Sequence, residues 1–93
     1  MSRKAELEEL FLRNKPVRLI MALKLGGKSK YISTLSKETD CTYSHTVKLL
    51  EEFKGLGLVE FEKEGRVKYI SLTIIGRDLA TQFESILRKF SRI

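Results

Sequence analysis

The chain has 93 residues, with 18 Lys and Arg against 12 Asp and Glu, a formal charge of +6 and a pI near 9.6. That length accommodates one domain with one small core, and no apolar run approaches the roughly 20 residues of a membrane span. The single cysteine, Cys41, excludes an intramolecular disulfide, so a reducing cytoplasm is the expected setting.

The basic charge is unevenly spread. Seven Lys or Arg and no acid lie between Phe11 and Lys37, and no acid follows Glu84. Acids gather in Glu6, Glu8 and Glu9 and again from Glu51 to Glu64. Such asymmetry points to a polyanion partner more strongly than net charge does. The start of the chain has no apolar region of the export-signal kind, so export is not expected.

In chain order, Ser2 to Leu12 is expected to be helical, with Leu7, Leu10 and Phe11 at helical spacing. Asn14 is the expected cap of a helix over Val17 to Leu25, with Pro16 near its start, Leu19, Ile20 and Leu23 on one face, and Gly26-Gly27 closing it. Ile32 is expected in a short strand beside a later hairpin. Ser33 should cap a helix reaching about Glu38, anchored by Leu35, and Thr39-Asp40-Cys41 should turn, since Asp tolerates a left-handed backbone. Cys41 is read as buried and inert.

A second helix opens at Thr42 or Tyr43 and ends near Gly55-Leu56-Gly57. Thr46, Leu49, Leu50 and Phe53 make its core stripe. Ser44, Lys48 and Glu51 then project outward, with Tyr43 and Val47 on one edge and His45 and Glu52 on the other. Two strands follow, joined at Glu64-Gly65, with Phe61 expected opposite Lys68 and Val59 opposite Ile70. Val59, Phe61, Ile70 and Leu72 share the core side. Thr73 caps the last helix.

This order predicts a mainly α chain with a small β-hairpin (α+β). It is a winged helix-turn-helix flanked by N- and C-terminal helices, in a single domain over 1–93. The helix-turn-helix occupies about 33–56, the wing about 58–72 and a dimerisation helix about 74–91. Such a module places its second helix in the DNA major groove. Lys48 suits guanine or a phosphate, Ser44 a base edge or a phosphate, an exposed Val47 a thymine methyl, and Tyr43 a phosphate and sugar. Arg66 is the expected minor-groove residue of the wing. Lys63 and Lys68, with Lys28, Lys30 and Lys37, are expected phosphate contacts that position without reading sequence. One Lys and no Arg on the reading face predicts modest specificity. Leu79, Phe83, Ile86 and Phe90, widened by Leu87, form a seam expected to pair two copies, joined by Leu7, Leu10 and Phe11.

Signals for catalysis are lacking. Gly55-x-Gly57 is too short for a phosphate loop, and one His with one Cys falls short of a zinc ligand set. No enzyme, metal or cofactor is expected.

Three stretches, YISTLSKETDCTYSHTVKLL, FKGLGLVEFE and SLTIIGRDL, resemble the multiple-antibiotic-resistance regulator (MarR) superfamily. The last is similar to its Leu-Thr-x-x-Gly-Arg motif, here Leu72, Thr73, Gly76 and Arg77. Together they cover about half the chain. The resemblance implies a homodimeric transcription regulator binding double-stranded DNA. It carries contact roles onto Tyr43, Ser44, Val47 and Lys48 and a wing role onto Arg66. A small archaeal-type regulator or a chromatin protein fits the length equally well. Open alternatives are an architectural DNA binder of low specificity and a winged helix used for protein contacts. A small-molecule effector also stays open. A cytoplasmic, nucleoid-associated location follows from the DNA readings.

Overall fold

Apolar residues at helical spacing define the first long helix. The structure, a computed structural model, describes Leu7, Glu9, Leu10, Leu12, residues 14–26 and residues 30–93. Leu7, Glu9 and Leu10 are helical. Phe11, Gly27 and Lys28, to which the sequence reading gives roles, lie outside the described residues. Helix α1 spans Asn14–Gly26 and buries Val17, Leu19, Ile20 and Leu23. It begins at Asn14, so Asn14 stands inside the first turn and does not cap it from outside. Pro16 falls in that same turn, where a missing N–H costs little.

Strand β1 is Lys30–Tyr31 and helix α2 is Ile32–Glu38. Ile32 is the first residue of the helix, not a strand residue, because its side chain is drawn into the core. The helix therefore starts one residue before Ser33, and Tyr31 occupies the cap position without a side-chain cap bond. Buried hydroxyls are satisfied locally: Ser36 Oγ donates to the Ser33 carbonyl at 2.9 Å and Thr39 Oγ1 to the Leu35 carbonyl at 2.7 Å.

Asp40 takes φ +54 in the turn, the left-handed geometry its side chain tolerates. Cys41 is half-buried, not buried, with Sγ 3.6 Å from the Thr39 carbonyl; Thr39 takes the fully enclosed position beside it. Helix α3 spans Tyr43–Gly55. Thr42 caps it, its Oγ1 accepting the His45 N–H at 3.2 Å. Thr46, Leu49, Leu50 and Phe53 are buried, as their spacing predicts.

Strands β2 (Val59–Glu64) and β3 (Val67–Leu72) form the hairpin. The sheet is antiparallel in the order β1-β3-β2. Its register differs from expectation by two residues. Phe61 faces Ile70, Val59 faces Leu72, Lys63 faces Lys68 and Glu64 faces Val67. The connection is Gly65-Arg66, with Gly65 at φ +64 in its first position, the arrangement of a II′ turn. A shift of two leaves every side chain on its face. Val59, Phe61, Ile70 and Leu72 therefore still share one side, and Val59 and Ile70 are buried in the core.

Helix α4 spans Ile74–Phe90. Its start is welded to the turn after α3. Thr73 Oγ1 accepts the Gly76 N–H at 3.0 Å and donates to the Gly57 carbonyl at 2.7 Å, while the Thr73 N–H donates to the Leu58 carbonyl at 3.0 Å. A Cβ on Gly76 would lie 1.9 Å from the Leu58 oxygen, so only glycine permits this approach. Ala80 enters the core, and Leu79 and Phe83 pack against it. The helix lies along α1, where Lys24 Nζ meets Glu84 Oε2 at 3.1 Å. Among the described residues, no helix is long and apolar enough to cross a membrane.

Candidate nucleic-acid interface

With its stripe turned to the core, α3 exposes Tyr43, Ser44, His45, Lys48, Glu51 and Glu52. Val47 departs from expectation: it is half-buried and packs against the core. It stands one turn before Leu50, close enough to the buried stripe to share it. Only part of its side chain is therefore open to a ligand.

A groove of about 540 Å³ separates α3 from the wing, and its lining includes Tyr43, Val47, Glu51, Phe61, Arg66 and Lys68. Two residues expected on the reading helix thus meet two expected on the wing. Lys48 lies on the other flank of α3. It lines a cavity of about 460 Å³ with Lys15, His45 and Glu52. At about 100° per residue, Ser44 falls between the two flanks.

The remaining cations divide. Lys30 is engaged by Glu38 at 2.7 Å, with its side chain only 17% exposed, so much of its charge is neutralised within the chain. Lys37 is exposed in the last turn of α2. Arg66 is exposed in the hairpin loop, and Lys63 and Lys68 are exposed directly across from one another. Lys15 was not singled out by sequence reasoning. Its Nζ donates to the Asp40 carbonyl, pinning the left-handed turn to α1. The two residues are 25 apart in sequence, and no local pattern signals the contact.

The wing is charged differently on its two faces. Alternation places Lys63 and Lys68 on the side of Phe61 and Ile70. Glu60, Glu62 and Glu64 lie on the opposite side with Tyr69. There Tyr31 and Tyr69 hold their rings 5.0 Å apart. The Tyr69 hydroxyl titrates above its ordinary range, first through its hydrogen bond with Tyr31, then through the charge of Tyr31, and further through burial and Glu64. Lys54 Nζ, from the last turn of α3, sits 4.8 Å above the Phe61 ring.

The expected dimer seam is partly occupied within the chain. Leu79 and Phe83 pack on the core of their own domain. Leu87 and Phe90 are half-buried, and Ile86 is 39% exposed. Leu7 is half-buried and Leu10 is 74% exposed. Among the described residues, no group of His, Cys, Asp or Glu is arranged to hold a metal ion.

No family model matches the chain. An uncharacterized protein of Archaeoglobus fulgidus is 30% identical over 82 residues, covering 85% of this chain and 86% of its own, and the chain belongs to the same family. Among solved structures, AF1382 from Archaeoglobus fulgidus is similar with a TM-score of 0.83 at 29% identity, over 88% of this chain and 93% of its own. The MarR family transcriptional regulator SPO1453 from Silicibacter pomeroyi aligns with a TM-score of 0.82 at 22% identity, over 97% of this chain and 68% of its own. The chain has a MarR-like winged-helix fold. MepR, a transcription regulator of the Staphylococcus aureus multidrug efflux pump MepA, gives a TM-score of 0.79 at 21% identity, again over 97% and 68%. In this MarR-like frame, α2 and α3 are the helix-turn-helix, β2 and β3 the wing, and Thr73 and Gly76 the joint that sets the wing against α4.

Proposed function

We propose that this MarR-like protein is a homodimeric, non-enzymatic DNA-binding regulator of transcription, acting in the cytoplasm on the nucleoid. The observation that carries the reading is the convergence of Tyr43 and Val47 of α3 with Arg66 and Lys68 of the wing on one groove. In this reading α3 enters the major groove and the loop at Gly65-Arg66 reaches the adjacent minor groove. Tyr43 and Ser44 approach the backbone and base edges. Val47 offers its exposed part to a thymine methyl, and Lys48 takes guanine or a phosphate. Lys37, Lys63 and Lys68 supply phosphate contacts. Lys30, paired with Glu38, contributes less than its charge suggests. Ile86, Leu87 and Phe90, with Leu7 and Leu10, provide the pairing surface between two copies.

A second reading is favoured by the thin reading face. Its exposed side chains include one Lys and no Arg, Asn or Gln, the types that make paired bonds to bases. An architectural binder of low sequence preference fits that chemistry. Both readings require duplex binding through α3 and the wing. Replacing Lys48 and Arg66 together by Ala should weaken binding to a duplex about tenfold or more in a fluorescence titration. Unchanged affinity would remove DNA from this surface and leave a protein partner as the alternative.

A further inference from the structure

The observed register places Lys63 and Lys68 directly opposite each other on one face of the wing. Directly opposed side chains have Cβ atoms about 5 Å apart, and like charges there repel. Neither lysine forms an ion pair among the described residues. Three acids lie on the same hairpin, yet Glu60, Glu62 and Glu64 all project from the other face. An acid next to them on the same face would have offset part of that repulsion from within. The hairpin itself places no counter-ion on that face, and Lys68 also lines the groove beside Tyr43, Val47 and Glu51, without an ion pair to Glu51.

We infer that Lys63 and Lys68 form a two-pronged clamp for a single phosphodiester of duplex DNA, on the face of the wing turned toward α3. This rests on the DNA-binding reading above and names the ligand group that part of the surface takes. An anion between the two ammonium groups replaces their mutual repulsion with two charge-assisted hydrogen bonds. The acidic face of the hairpin is thereby turned away from the duplex, which fixes the roll of the wing on its backbone.

The clamp predicts a specific non-additivity. Each phosphate neutralised contributes about 0.9 to the slope of log affinity against log salt. The probe is a generic duplex oligonucleotide, titrated with wild type, K63Q, K68Q and the double variant over roughly 50 to 200 mM salt. If both lysines hold one phosphate, the slope falls by about one unit in the double variant, and not by two. A fall of about two units would assign them separate phosphates and overturn the clamp, as would an unchanged slope. Lys63→Glu supplies the missing counter-ion from within. It should raise the thermal midpoint while weakening duplex binding about tenfold; wild-type affinity in that variant would also overturn the proposal. A wild-type protein that binds no duplex would overturn the DNA reading itself and the clamp with it. Duplex binding with unaltered slopes would remove the clamp alone.

Discussion

Gly76 shows how a single residue is dictated by its neighbours. It is helical, where glycine is unfavourable by about 1 kcal/mol relative to alanine. Even so, a Cβ there would lie 1.9 Å from the Leu58 carbonyl oxygen. Gly76→Ala should therefore lower stability by about 3 kcal/mol, as overpacking does, read as a shift in the urea midpoint; an unchanged midpoint would show that the joint opens freely. Glu84 responds to pH. Its hydrogen bond to Lys24 lowers its pKa against the opposing effect of burial, with further help from the charges of Lys24 and Arg88. A carboxylate depressed in the fold contributes stability above its unfolded pKa and loses it as pH falls through the folded value. Glu84→Gln should thus be less stable than wild type at neutral pH. That difference should shrink as pH falls below the ordinary carboxylate range, and a pH-independent difference would refute the linkage. The glycine was legible as part of a motif, but its reason was not, because the clash joins residues 18 apart.

At the scale of elements, the core stripe of α3 and the shared face of the hairpin were legible because period and alternation are local. Burying Leu49, Leu50 and Phe53 requires only that they recur on one side of a helix. Strand register was less legible. Glu64-Gly65 and Gly65-Arg66 are both two-residue loops containing the same glycine, and the choice depends on whether positive φ falls at the first or second position. The error of two positions preserved the faces yet hid the Lys63–Lys68 pair. The start of α2 was misplaced because long-range burial drew Ile32 into the core. In α4 the apolar spacing was correct, but spacing does not distinguish an intramolecular neighbour from a partner. Leu79 and Phe83 serve their own core, so Phe83→Glu would disturb folding as well as association. Ile86 is the cleaner probe: Ile86→Glu should keep the helical signal and halve the mass in solution, whereas a retained dimer would place the pairing surface elsewhere.

Across the whole molecule, charge and geometry coincide on one surface. A basic chain of 93 residues presents one helix, one hairpin and a groove between them, with the three acids of the wing on its outer face and Glu51 of α3 on the groove wall. Two copies joined through their terminal helices would set their reading helices about 34 Å apart, the spacing of successive major grooves. Lys48→Ala should then weaken binding at preferred sites more than at random duplex. Equal losses at both would make Lys48 a phosphate contact and favour the architectural reading. The most direct test of the central claim is selection of fragmented genomic DNA by the purified protein at near-physiological salt, followed by sequencing. The account predicts enrichment of a limited set of fragments sharing a two-fold motif. Even recovery of all fragments would contradict sequence-specific regulation and support the architectural role, and recovery of none would contradict DNA binding altogether.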